Sequence, residues 1–545
     1  MVSSNKISFK ISSRTGFRPA GPGITVLFSL IAGLLLFTAP TAFASTTGGN
    51  CPTGANYMNS SGSLVTLASL GITNCFYFSK SAGSDGNSGT SESTPQAHLP
   101  GMPSYTGSIS PSAGQAFILK GGDRWTASDF ELHFPGNGTS SAHIYIGSDP
   151  AWFVGGSWTR PIFDCQSTQC GSRAQVQLTG NFQTIDNVEL TGLRFITETQ
   201  KGVEVTAVSD EVERCYIHGW SHDPGFNSSN DDGRGFSMGS NGGSAAMFHN
   251  NVVDGSDTTK DMMGGADDSD QVYNNVFNYV YNGVRGHHND VHSNLISNIV
   301  LEGWPNADHA NGISIFGTTT GTLMWVYNNI VENDSLASGS EVFWVNSNGD
   351  ATGHTTYVFN NILYNVGRGI DTGDHPPASG GTIWMYNNTI NSGGDHCFGN
   401  GESPARTTLN YANNHCINSS VVCDTTGVSC NNLGGNLAQT TAQAAANVSS
   451  HFDQYTTSET FVYSPVASTN STVGAGTNLT SSCTGNVGAL CSDTTYPNYD
   501  SVNHAVVMRT TINRPTGAVW DIGAYQYAPQ SPAPNSPTGL TALVQ

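Results

Sequence analysis

One short phrase recurs along the middle of this chain and limits what it can fold into. It reads aromatic or His, then Asn-Asn, then Val, Ile or Thr. Copies are Phe248-His249-Asn250-Asn251-Val252, Tyr273-Asn274-Asn275-Val276, Tyr327-Asn328-Asn329-Ile330, Phe359-Asn360-Asn361-Ile362 and Tyr386-Asn387-Asn388-Thr389. Val291-His292-Ser293-Asn294-Leu295 is a weaker copy, and Tyr411-Ala412-Asn413-Asn414 closes the series. The second Asn returns after 24, 19, 35, 32, 27 and 26 residues. A repeat of this length with variable spacing predicts stacked coils of two or three short strands, with insertions entering at the turns. The fold class is therefore all-β, a right-handed parallel β-helix. Leucine-rich repeats have a similar period, but their Leu pattern is missing, and propeller blades are longer. Amides stacked once per coil predict an Asn ladder along the helix.

A second phrase reads Arg or Asn, Gly, apolar, then a variable residue. It occurs at Arg234-Gly235-Phe236-Ser237, Asn282-Gly283-Val284-Arg285, Asn311-Gly312-Ile313-Ser314 and Arg368-Gly369-Ile370-Asp371. Side chains alternate along a strand, so an inward apolar residue sends the next one outward. Ser237, Arg285, Ser314 and Asp371 are thereby expected on one outer face.

Export is expected. Residues 1–44 carry Lys6, Lys10, Arg14 and Arg18, then an apolar run from Ile24 to Phe37, then Ala42-Phe43-Ala44. That pattern predicts a secretory signal peptide cleaved after Ala44. The run is short of the roughly 20 residues that a spanning helix needs, so an integral membrane protein is not expected. The chain has 19 Lys and Arg against 40 Asp and Glu. Taking away the four basic residues of the leader leaves 15 against 40, which argues against nucleic acid as a partner. Eleven cysteines suit an oxidising compartment. Cys165/Cys170, Cys423/Cys430 and Cys483/Cys491 are spaced as local staples, and Cys215, in a strand-like run, is the candidate for a free thiol. Neither an organic cofactor nor oligomerisation is signalled, so a monomer is expected.

The flanks of the repeats carry two further blocks. The first is Phe76-Tyr77-Phe78-Ser79-Lys80-Ser81-Ala82-Gly83-Ser84-Asp85-Gly86, continuing at Ala116-Phe117-Ile118-Leu119-Lys120-Gly121-Gly122-Asp123. The second is Ser464-Pro465-Val466-Ala467, Gly474-Ala475-Gly476-Thr477 and Asp521-Ile522-Gly523-Ala524-Tyr525. With the repeats, these resemble secreted pectate-lyase-like β-helix proteins over residues 73–527. The resemblance implies the fold. Its members include calcium-dependent polysaccharide lyases, inverting glycoside hydrolases, epimerases and non-catalytic surface proteins, and no complete catalytic motif of any one of them is present. The expected layout is a signal peptide at 1–44, a lead-in at 45–72, coils at 73–435, further coils and a closing cap at 436–527, and a Pro-rich tail at 528–545. Thr538-Gly539-Leu540-Thr541-Ala542 in that tail resembles the start of a fibronectin-type module.

The stretch from Asp254 to His309 is richest in chemistry. Asp257, Asp261, Asp267, Asp268 and Asp270, with Asp254, are dense enough in hard oxygen ligands for Ca²⁺, or they form a solvated acidic loop. Arg285-Gly286-His287-His288-Asn289-Asp290 and Asp308-His309-Ala310-Asn311 follow. Arg285, His288, Asp308, His309 and Asp371 are the candidate catalytic residues, although such histidines also commonly bind turn carbonyls. Tyr281, Trp304 and Trp344 could offer flat faces to sugar rings or serve in the core. An extracellular polysaccharide is the expected partner. The resemblance implies an Arg or Lys base for β-elimination at a uronate, which points to Arg285 with Lys260 in reserve. Two carboxylates such as Asp308 and Asp371 would instead suit hydrolysis. A non-catalytic adhesin is the reading from another class.

Overall fold

The computed structural model describes residues 50–196, 201–222, 245–257, 265–267, 270–286, 288–299, 311–315, 323–333, 342–345, 355–372, 381–399, 407–426, 428–445, 448–449, 464–465 and 467–527. All fall in the compact unit Gly49–Gln545. The strands stack into parallel sheets in which neighbours are one coil apart. The first sheet has 13 strands, from Asn74–Phe78 to Val428–Asn432. The second also has 13, from Arg124–Thr126 to Leu437–Gln439. The third is in two parts, three strands ending at Lys201–Val205 and seven running from Ala266–Asp267 to Val421–Asp424. This is the predicted parallel β-helix.

One coil shows why the sequence winds this way. Gln271–Tyr273, Val276–Asn278 and Val284–Gly286 supply the three strands. Each sends its apolar residue inward: Val272, Phe277 and Val284 are fully buried. Val291, Ile296 and Ile313 lie above them in register, then Val326, Val331 and Phe343. Each inward side chain contributes about 1.5–3 kcal/mol of burial. A single coil cannot bury its own face, so the column of coils is what makes the core.

The Asn-Asn pair makes the corner between the first two sheets, and its two members do different work. The first Asn takes a left-handed backbone, φ 57° at Asn250, 56° at Asn274, 57° at Asn328 and 56° at Asn360. Asn tolerates that conformation better than most residues, because its short polar side chain can bond locally. The second Asn points inward and forms the ladder. Asn251, Asn275, Asn294, Asn329, Asn361, Asn388, Asn414 and Asn436 are linked Nδ2 to Oδ1 at 3.0–3.2 Å. The Cys215 N–H caps the ladder at one end, donating to Asn251 Oδ1 at 2.9 Å.

Terminal segments cover the outer faces of the first two sheets. On the first sheet His249, Tyr273, His292, Tyr327 and Phe359 stack in one file, centroids 4.6–4.9 Å apart. Leu479, Leu490 and Trp520 pack over Phe359 and Tyr386. On the second sheet Tyr496, Tyr499 and Tyr525 cover Val252, Val276, Leu295 and Ile330. Residues 467–527 thus lie along the coils: Asn387 Nδ2 donates to Asp521 O at 3.0 Å, and Arg160 Nη1 donates to Asn503 O at 3.0 Å. At the other end, Cys51–Cys75 ties the N-terminal segment to the first strand. The three local disulfides expected from spacing form, Cys397–Cys416 is a fifth, and Cys215 is free and buried. Among the described residues no helix is long and apolar enough to cross a membrane. The expected leader and tail lie outside the described residues.

Candidate functional site

The third sheet carries the chemistry. Its inward file is Ala266, Val284, Ile313, Phe343, Ile370 and Phe398. One residue on, the outward file reads Asp267, Arg285, Ser314, Trp344, Asp371 and Gly399, one residue per coil in unbroken register. Arg285, Ser314 and Asp371 therefore share one file on the side that the Gly-apolar-variable phrase predicts, although Ser314 and Asp371 are buried there; Ser237 lies outside the described residues. Adjacent coils are about 4.8 Å apart, so three steps put Arg285 and Asp371 about 14 Å from each other. That is too far for both to act on one glycosidic bond, where paired groups sit roughly 5–9.5 Å apart.

Asp371 is held in a tight network. His396 Nε2 lies 2.8 Å from its Oδ1, and Arg368 Nη1 lies 3.7 Å from its Oδ2. Asp395 joins from the other side, 3.2 Å from His396 Nδ1 and 3.5 Å from Arg368 Nε. Burial works against a charged His396 ring, but the hydrogen bond to Asp371 and the charges of Asp371 and Asp395 outweigh it and raise its pKa. Arg368 stands in the second repeat phrase, three residues before Asp371, but as a partner for Asp371 it escapes sequence reasoning, as does Asp395. The only signal was that phrase's first position, occupied by Arg in two of its copies.

The remaining candidates are dispersed. His288 Nε2 lies 2.6 Å from the carbonyl of Arg285, which is the turn-binding role. Tyr281 is packed in the apolar interior. Trp344 stands on the outward file but is largely covered. Asp308, His309, Trp304, Asp261, Asp268 and Lys260 lie outside the described residues. Within the acidic stretch Asp254 accepts from Tyr499, and Asp257 pairs with His218 at 2.6 Å and accepts from the Gly219 N–H. Asp270 accepts from Asn289, and Asp267 occupies the outward file. Asp290, five residues beyond Arg285, has its pKa pushed up to about 7 by burial and by the charge of Asp270.

No protein-family profile and no curated protein matches the chain. Among solved structures, pectate lyase Pel9A is similar at a TM-score of 0.43 and 16% identity, over 84% of this chain and 98% of that one. A GH136 lacto-N-biosidase from Eubacterium ramulus scores 0.34 at 11% identity, over 67% of this chain and 68% of that one. A mannuronic acid specific polysaccharide family 6 lyase from human gut microbiota scores 0.33 at 11% identity, over 63% and 84%. The stacked parallel sheets themselves bear out the β-helix expected from the repeats.

Proposed function

We propose that this is a secreted carbohydrate-active protein that lays an extracellular, uronate-containing polysaccharide along the outer face of the third sheet and cleaves it by β-elimination. The observation that carries the reading is the outward file itself: Asp267, Arg285, Ser314, Trp344 and Asp371 in register over five coils. Five disulfides among the described residues support an oxidising compartment.

In such a step a base takes the proton beside the uronate carboxyl. The electron pair forms a carbon–carbon double bond, the glycosidic C–O bond breaks, and the departing oxygen is protonated. Arg285 is the candidate base that the resemblance implies, with Lys260 in reserve. A Ca²⁺ ion held by Asp261, Asp267 and Asp268 would neutralise the same carboxylate, and an acidic chain needs such a cation to receive an acidic sugar. Asp254, Asp257 and Asp270 are already engaged, which leaves those three as the ligands of this reading.

The test is a panel of polyuronates and neutral glycans, read for ultraviolet absorbance of an unsaturated product and for new reducing ends. Absorbance that rises with reducing ends is the expected result. Reducing ends without absorbance overturn elimination in favour of hydrolysis, and neither signal over the panel overturns catalysis in favour of a binding protein.

A further inference from the structure

Away from the third sheet, the first sheet holds a buried group of ionisable side chains that the proposed reaction does not use. Glu213 and His249 are neighbours in register on its outer face, and Glu211 lies two residues before Glu213 on the same side. All three are buried, and one ligand atom of each lies within 4.8 Å of the other two.

The hydrogen-bond inventory of this group does not close. Among the described residues neither carboxylate oxygen of Glu213 has a hydrogen-bond partner, and neither does His249 Nε2. His249 Nδ1 lies 3.1 Å from Asn250 Oδ1, an acceptor, so Nδ1 carries the proton and Nε2 presents its lone pair. That lone pair faces Glu213 Oε2 at 3.3 Å. Two lone pairs at this distance, out of water, need a proton or a cation between them. The neighbouring charges leave the same gap. Asp186 is neutralised by Arg214, whose Nε donates to it at 2.6 Å, and it also accepts from Tyr145. Among the described residues neither Glu211 nor Glu213 has an ion pair with Lys or Arg, since Arg214 is paired with Asp186.

We infer that Glu211, Glu213 and His249 form a binding site for a single divalent transition-metal ion of the zinc class. One imidazole nitrogen and two carboxylate oxygens are a common ligand set for such an ion. Tetrahedral zinc with bonds of about 2.0–2.1 Å separates its ligand atoms by about 3.3 Å, the spacing found between His249 and Glu213. The Asn250 carbonyl oxygen of the side-chain amide plays the outer partner that fixes a ligating histidine's tautomer. Two carboxylates balance the ion's charge. A cleft of about 230 Å³ lined by Met58, Asn59, Ser60, Tyr145, Thr184 and Glu211 reaches the cluster at Glu211.

The experiment uses the full chain, stripped with a chelator and titrated with ZnCl2 by calorimetry, with metal content read by mass spectrometry after dialysis. One Zn²⁺ per chain and a raised melting temperature are expected. His249→Phe keeps a ring stacked on Tyr273 and removes the nitrogen; Glu213→Gln keeps the shape and removes the charge. Each should fold and lose at least tenfold in zinc affinity. Binding that survives undiminished in both variants places the ion elsewhere and overturns the assignment. A folded wild-type chain that takes up no zinc overturns it as well.

Discussion

Asn329 and Asn361, 32 residues apart in sequence, are joined twice: the backbone N–H and the Nδ2 of Asn329 both donate to Asn361 Oδ1, each at 3.0 Å. The other Nδ2 hydrogen goes to Val291 O at 3.0 Å, and Asn329 Oδ1 accepts the same pair from Asn294. Every polar atom of this buried side chain is used. Asn329→Ala therefore strands two donors on Asn294 and takes one bond each from Asn361 Oδ1, which keeps the backbone N–H, and from Val291 O, at about 1–3 kcal/mol. Urea denaturation should show the loss as a lower midpoint. Its neighbour separates the two jobs of the pair. Asn328 has φ 57°, so Asn328→Gly should be nearly neutral while Asn328→Val costs about 1–2 kcal/mol of backbone strain. Equal effects of the two Asn328 changes would contradict the corner assignment.

Much of this was legible because a solenoid writes its register into its repeats. The ladder, the coil length and the outward placement of Arg285, Ser314 and Asp371 follow from phrases that recur once per coil. What was illegible depends on segments far away in sequence. Glu213 sits in a strand-like run and reads as an ordinary outward residue. Only the N-terminal segment, whose Asn56 and Ser60 carbonyls accept from Arg214 and Tyr273, turns that face into an interior. The path of residues 467–527 back along the coils is equally hidden, since Tyr499 meets Asp254 across 245 residues. Tyr281 as a core residue could not be told from an outward one, because it falls in a turn where alternation gives no parity.

The outward file predicts a division of labour. Arg285→Ala should remove most turnover on any substrate that the wild type cleaves, at least a hundredfold in kcat/KM, with an unchanged melting temperature. Asp371→Asn should act mainly on the fold. It loses the charge that holds His396 and Arg368, so the His396 pKa falls and stability drops by about 1–3 kcal/mol. Nuclear magnetic resonance titration of the His396 ring and thermal denaturation check both. Full activity in Arg285→Ala would remove it from the mechanism.

His218 gives a signature in alkali. Burial opposes its charge, but hydrogen bonds and charges from Asp257 and Glu189 raise its pKa to about 9. Tyr216 stacks on it at 4.1 Å, and His504 stacks on the far side of Tyr216 at 4.0 Å. A pKa above the unfolded value of about 6.5 means that the charged ring stabilises the fold fully below that pH. The contribution is lost as pH rises through about 9. Denaturation midpoints of the wild type should fall between pH 7 and 10, and His218→Gln should flatten that part of the curve. Identical slopes would show that the ring does not carry the ion pair.

His292 should do the reverse in acid. It is stacked between Tyr273 at 4.9 Å and Tyr327 at 4.6 Å. Burial, helped by His249 nearby, lowers its pKa to about 3. In the unfolded chain the ring takes up a proton below about pH 6.5, while in the folded chain it stays neutral until about pH 3. The unfolded state then binds more protons, so stability falls steadily as pH drops through that window. His292→Phe continues the aromatic file without a titrating nitrogen and forfeits only the contact of Nδ1 with Ser293 Oγ at 3.2 Å. It should keep a larger share of its pH 7 stability at pH 4 than the wild type does. Urea midpoints at the two pH values make the comparison, and a parallel loss in both proteins would put the acid sensitivity elsewhere in the chain.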